Sequence, residues 1–305
     1  MDDKKTKKIV VLATGGTIAG LADDAANPHQ YKAGQVSVVD LLAATSHADA
    51  GVVSEQLAQI DSKDMSFVLW QSLLARLAHW LAQDGVQGVV ITHGTDTLEE
   101  TAYFLQTVLQ PVKPVAITCA MLPANAPDSD GPANLQQALQ WVRAGDSHGV
   151  AVVCAGQVHP GQTVQKVHSQ QRNPFTATQA LTPTSGAMAW RIPSVAQVLA
   201  CESWPRVDMV FNHAGADGRV VHAATAHDAP HGWVVAGTGN GTIHHDLEAA
   251  LHEAQQQGAL VLRASRCALG GVQSREGEVF AHAGHLTAVQ ARVALLLHLI
   301  SQQTP

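Results

Sequence analysis

The chain has 305 residues, of which 46% are apolar and 14% charged. That balance excludes a disordered chain, which would be rich in charge and poor in apolar residues. The net charge of −7 with histidine neutral argues against a nucleic-acid binder, which needs a basic face to release counterions.

The basic run Lys4-Lys5-Thr6-Lys7-Lys8 reads as a solvated tail. Ile9 to Ala13 is a buried strand that runs into the glycine turn Thr14-Gly15-Gly16-Thr17. Phe67, Trp70, Leu73, Leu74, Leu77, Trp80 and Leu81 recur at spacings of three and four. They predict one face of an amphipathic helix, with Asp64 or Ser66 as its N-cap. Val89 to Thr92 is the next strand, followed by a helix from about Thr97 that buries Leu98, Ala102, Leu105 and Leu109. Val115 to Cys119 is a strand, a helix carries Leu135, Leu139 and Val142, and Val150 to Cys154 is a strand again.

The stretch from about Thr182 to Pro205 holds three prolines and reads as irregular. Beyond it come strands at Val207 to Phe211, Trp233 to Ala236 and Ala259 to Leu262, with helices at Ile243 to Gln257 and Thr287 to Ser301. Alternating strands and helices predict an α/β fold with an open, mostly parallel sheet flanked by helices, followed by a smaller C-terminal α/β domain. The expected bounds are 1–185 and 207–305, with 186–206 as the link. No apolar run reaches the roughly 18 residues of a membrane span. As written the chain reads as cytoplasmic, or periplasmic if a leader was removed.

Ligands of open α/β sheets bind at the carboxyl ends of strands. Three segments stand at such ends: Thr14-Gly15-Gly16-Thr17, His93-Gly94-Thr95-Asp96-Thr97 and Ala120-Met121-Leu122-Pro123. The glycines before Thr17 suit close backbone approach to a ligand, and their spacing fits neither a dinucleotide fingerprint nor a phosphate loop. Thr95 and Asp96 admit two readings, a hydroxyl and a carboxylate offered to substrate or a helix N-cap. Lys166 is either a solvated charge or, beside Thr95, an acceptor for the hydroxyl proton. Tyr31, in a stretch of Ala, Asp, Asn, Pro and Gly, is either a surface residue or part of a lid. Cys119 and Cys154 sit in apolar runs and read as buried thiols. His244-His245 and His282-x-x-His285 lack an evident acidic complement, so no metal site is expected.

At these residues the sequence resembles the bacterial-type L-asparaginase family, its type II branch above all. Two signatures carry the likeness: Ala13-Thr14-Gly15-Gly16-Thr17-Ile18-Ala19-Gly20, and the run from Ile91 through His93-Gly94-Thr95-Asp96-Thr97 to Leu105. Weaker echoes lie at Ile60-Asp61-Ser62, Ala120 to Pro123, Ser129 to Leu135, Gly237 to Gly241 and Arg263 to Arg266. The resemblance implies hydrolysis of L-asparagine to L-aspartate and ammonia through a threonine nucleophile and an acyl-enzyme. It implies no cofactor, and a homotetramer built as a dimer of intimate dimers.

By position, Thr17 is similar to the nucleophile and Tyr31 to its partner on the lid, while Thr95, Asp96 and Lys166 are similar to a second triad. The implied substrate contacts are Gly16, Asp61, Ser62, Gly94, Thr95, Asp96, Ala120 and, reaching a neighbouring subunit's site, Asn240. A neighbour's glutamate is expected near Glu276 or Glu278 without assignment. One position departs: Lys63 stands where the family commonly has Gln or Glu. A cation there repels the substrate ammonium unless it turns to solvent or pairs with Asp61 or Asp64. Altered affinity and little activity on L-glutamine are expected. The rival readings are a glutaminase-asparaginase, a dinucleotide-dependent oxidoreductase lacking the fingerprint spacing, and an inactive binding protein on the same fold.

Overall fold

A computed structural model describes residues 7–25, 27–45, 51–177, 187–277 and 279–303; Lys4, Lys5, Thr6, Glu278 and the start of the irregular stretch at 182–186 lie outside them. The chain divides into two units, Met1–Ala177 and Thr178–Pro305.

In the first unit, β1 (Lys8–Gly15) leads through a short 3-10 turn to β2 (Leu21–Ala22), β3 (Tyr31–Lys32), α1 (Val38–Ala43) and β4 (Val52–Ile60). Then follow α2 (Phe67–Leu81), β5 (Val86–Thr92), α3 (Leu98–Leu109), β6 (Pro114–Thr118), α4 (Gly131–Ala144) and β7 (Gly149–Cys154). The hairpin strand β8 (Gln157–Pro160) and the pair β9 (Val164–Lys166) and β10 (Phe175–Ala177) complete it. The main sheet has the order β4-β1-β5-β6-β7-β8, parallel except for β8. Numbered along the chain, its parallel strands run 2-1-3-4-5, so the order reverses between β1 and β5. That crevice is where doubly wound sheets bind ligands.

Both faces of this sheet are covered, which is why its inner strands are continuous apolar runs. Ile9, Val11 and Ala13 pack with Leu41 and Leu42 of α1 and Leu135, Leu139 and Val142 of α4. Val10 and Leu12 alternate to the other face and are equally buried. The spacing in α2 buries Trp70, Leu73, Leu74 and Leu77, and Ser66, not Asp64, is its N-cap, accepting the Leu69 N–H. β4 has no counterpart in the sequence reading. It is a half-buried edge strand whose polar residues break the apolar run.

The second unit holds α5 (Val195–Ala200), β11 (Val207–Phe211), α6 (Arg219–His227), β12 (Gly232–Gly237), α7 (His245–Gln256), β13 (Leu260–Ser265), β14 (Ala281–His282) and α8 (Ala288–Ile300). Its sheet, β11-β12-β13-β14, is parallel throughout. Trp233, Val235, Leu247, Leu251 and Phe280 form one core cluster. The stretch read as irregular includes α5, opened by a Ser194–Gln197 capping box. A polar cap and one apolar turn leave too short a period to stand out among prolines. Among the described residues no helix is long and apolar enough to cross a membrane.

Candidate active site

The carboxyl ends of β1, β4, β5 and β6 carry the segments that the sequence singled out. Gly15 and Gly16 leave β1 with φ of 110° and 81°. The region adopted by Gly16, with ψ −174°, is essentially closed to other residues. Its backbone is pressed onto the second loop: a Cβ on Gly16 would lie 2.4 Å from the Gly94 Cα. A Cβ on Gly94 would in turn lie 2.4 Å from Ser62 Oγ. Three strand ends thus interlock through small residues, and Thr17 and Thr95 each leave this contact as the next residue.

Each threonine has its own side-chain partner. Thr17 Oγ1 is 2.7 Å from the Tyr31 hydroxyl. Tyr31 sits on β3, which pairs with β2, so the segment read as a lid holds a short antiparallel ribbon. Lys166 Nζ donates to Thr95 Oγ1 at 2.9 Å and to Asp96 Oδ1 at 2.7 Å. Lys166 is not a solvated charge, since its side chain is 18% exposed. Capping does not explain Thr95 or Asp96 either: the N-cap of α3 is Thr97, without a side-chain cap bond. Thr97 Oγ1 donates instead to the Ser62 carbonyl, and the Asp96 N–H donates to Ser62 Oγ.

Lys63 bridges Asp61 and Asp64, at 3.0 Å from each, and is 62% exposed. Bonds to Asp64 and Asp61 raise its pKa, and the Asp61 carboxylate is engaged there and with the Lys63 N–H. Ala120 follows β6 on a turn fixed from α4. The Asp130 carboxylate accepts the N–H groups of Met121 and Leu122, and Asn134 Nδ2 donates to the Cys119 carbonyl. Gly131 links this turn to the Thr17 loop: a Cβ there would lie 3.1 Å from Ile18 and 3.6 Å from the Ala120 Cβ.

Asn240 belongs to the second unit, where its amide exchanges two 2.8 Å bonds with the Gln273 main chain. Cys119 and Cys154 are buried thiols 3.6 Å apart. The bond to Cys154 and burial hold the Cys119 thiol well above its usual range. The expectation that His244-His245 lack an acid is corrected, because Asp246 Oδ1 lies 3.2 Å from His245 Nε2. These three sit at the first turn of α7, where the Asp246 N–H donates to His244 Nδ1.

Sequence reasoning gave His93 no role, although it lies inside the quoted signature. It is buried beneath the turn, and burial lowers its pKa to about 4, so it is neutral at pH 7. Trp70 Nε1 donates to Thr101 Oγ1, which pairs with His93 Nε2 at 3.0 Å. The other ring nitrogen, Nδ1, is 2.7 Å from the Gly94 carbonyl. A carbonyl only accepts and an indole N–H only donates. The proton therefore sits on Nδ1, Thr101 donates to Nε2, and the relay fixes the Gly94 peptide. Glu99, in the first turn of α3, was missed as well. Its Oε2 accepts the Lys166 main-chain N–H at 2.9 Å, and desolvation raises its pKa to about 7.

Residues 8–189 match the family described as "Asparaginase, N-terminal", and residues 206–305 match the "Glutaminase/Asparaginase C-terminal domain". The chain belongs to the bacterial-type asparaginase family. It is 31% identical to the L-asparaginase 2 of Bacillus subtilis, over all of this chain and 85% of that one. It is 32% identical to a glutaminase-asparaginase of Pseudomonas fluorescens, over 99% of this chain and 89% of that one. A crystal structure described as a probable cytoplasmic L-asparaginase from Campylobacter jejuni superposes with a TM-score of 0.86. Its identity is 32%, over 96% of this chain and 95% of that one.

Proposed function

We propose that this chain hydrolyses L-asparagine to L-aspartate and ammonia, with Thr17 as the nucleophile. The observation that carries this reading is the pairing of two hydroxyls, Thr17 with Tyr31 and Thr95 with Lys166 and Asp96, on loops locked at Gly16 and Gly94. Thr17 Oγ1 attacks the side-chain amide carbon, the C–N bond breaks, and the nitrogen leaves as ammonia after taking a proton. Water then opens the aspartyl ester and releases aspartate, returning the proton to Thr17. The Tyr31 hydroxyl is the group within hydrogen-bond reach of the nucleophile. The Lys166 ammonium polarises Thr95 and is balanced by Asp96.

Ser62 Oγ spends one acceptor site on the Asp96 N–H, so its own O–H is left to donate to the substrate α-carboxylate. Lys166 holds Asp96 through Oδ1, and the carboxylate, 54% exposed, takes the substrate ammonium. The turn at Ala120 and the main chain at Gly94 and Thr95 face the amide, and N–H groups there carry the oxyanion. Asn240 serves the site of a neighbouring subunit in a homotetramer of about four times 32.1 kDa. The Campylobacter neighbour, described as a probable cytoplasmic enzyme, favours the cytoplasm, and a Haemophilus influenzae relative described as periplasmic keeps the periplasm as the alternative.

Ammonia release from L-asparagine, L-glutamine and D-asparagine, measured in parallel, tests the reading. L-asparagine is the fastest substrate and L-glutamine is slow. No ammonia from L-asparagine overturns the proposal, and equal rates on the two L-amides favour a glutaminase-asparaginase.

A further inference from the structure

Within the first unit, one carboxylate sits against the proposed triad without touching the substrate side of it. Thr95 and Asp96 lie just ahead of the Thr97 N-cap of α3 and Glu99 lies in its first turn, and all three hold the same residue. Thr95 and Asp96 take the Lys166 Nζ, and Glu99 Oε2 takes the Lys166 main-chain N–H at 2.9 Å. β9 and β10 form a two-stranded sheet, with Lys166 opposite Phe175, and are not among the strands of the six-stranded sheet. The Glu99 bond therefore joins the segment that carries Lys166 to the helix that directly follows its partners.

We propose that Glu99 is a positioning residue for the reaction: it fixes the main chain at Lys166 so that Nζ bridges Thr95 and Asp96, and its charge is felt by that ammonium. This rests on Lys166 having the role given above. A carboxylate beside a lysine favours the charged lysine. The groups that act on Glu99 are Glu100 from its own helix, which raises its pKa, and Lys166 from β9, which lowers it. Of the other elements packed on α3, β7 brings the buried Cys154 thiol. The ionisable groups of α2 are occupied elsewhere, Arg76 with Glu55 and His79 with Gln83. Glu99 titrates at about 7, so its charge changes across neutral pH.

The test measures steady-state kinetics of Glu99→Ala, Glu99→Gln and Lys166→Met across neutral pH, each beside its melting temperature. Glu99→Ala removes the acceptor oxygen and lowers kcat by on the order of 10- to 100-fold, as expected of a slightly misplaced catalytic group, with KM nearly unchanged. Glu99→Gln keeps an acceptor oxygen, so it recovers most of the kcat and loses the inflection of the pH profile near neutrality. A wild-type kcat in Glu99→Ala, or an unchanged inflection in Glu99→Gln, overturns the proposal while Lys166→Met remains inactive. Near-normal turnover in Lys166→Met overturns the role of Lys166 itself. A role in folding alone would lower the melting temperature of Glu99→Ala and leave the profile of Glu99→Gln in place. Should Glu99→Ala fail to fold, the profile of Glu99→Gln decides.

Discussion

Two buried ionisable groups flank the Gly94–Thr95 turn with opposite effects on stability. His93 titrates at 6.5 when unperturbed and at about 4 in the fold, because burial disfavours the imidazolium. Between those values the unfolded chain binds a proton that the folded chain does not. Its contribution is therefore complete above pH 6.5 and is lost as pH falls toward 4. Glu99 moves from 4.5 to about 7, again through desolvation. Here the folded chain holds the proton, so its contribution is complete below pH 4.5 and is lost as pH rises through 7. At about 1.4 kcal/mol per pH unit for one proton, each group is worth about 3 kcal/mol, and the two slopes cancel from pH 4.5 to 6.5. Replacing one group exposes the other. Glu99→Gln gains about 2–3 kcal/mol of stability relative to wild type as pH rises through that window, and His93→Gln loses about as much. Urea unfolding followed by circular dichroism, at one protein concentration and a series of pH values, gives the slopes. Ionisable groups shared by all three proteins drop out of the comparison. Curves for Glu99→Gln and wild type that run parallel would refute the argument.

Other expectations follow from the same contacts. Thr17→Val and Thr95→Val each lower kcat by at least about 10²-fold, the scale of losing a group that acts in the chemical step; a near-normal rate in either removes that residue from the mechanism. Gly16→Ala forces a Cβ to 2.4 Å from the Gly94 backbone at a φ that disfavours side chains. It costs at least about 1–3 kcal/mol in chemical denaturation and abolishes turnover, and a stable, active variant would contradict the interlocked loops. Lys63→Gln frees Asp61 and Asp64 from an exposed cation. Exposed pairs contribute little to stability, so the melting temperature barely moves while kcat/KM for L-asparagine and L-glutamine changes. Identical values for both amides would deny Lys63 any part in recognition.

Several features of the molecule were written in local residue patterns. The inner strands announced themselves as apolar runs, because a strand covered on both faces has no polar side to show. The spacing of Trp70, Leu73, Leu74 and Leu77 marked a helix because only one of its faces is buried. The turn at Gly15-Gly16-Thr17 and the signature around Thr95 identified the site segments and the family. β4 left no signal because Ser54-Glu55-Gln56 interrupt its apolar residues, giving neither a run nor a clean alternation. The ambiguity at Thr95 and Asp96 could not be resolved locally either, since a cap and a catalytic pair have the same composition. It was decided by Lys166, 71 and 70 residues away in sequence. Likewise, nothing in the residues near His93 or Glu99 announces a buried relay or a raised carboxyl. Hydrogen-bond direction, desolvation and the contact of Gly16 with Gly94 are properties of segments brought together in space. Local sequence therefore determined which elements form and which residues can do chemistry. Only the packing of strand ends at the β1–β5 crevice decided which of those residues meet and in what state of charge.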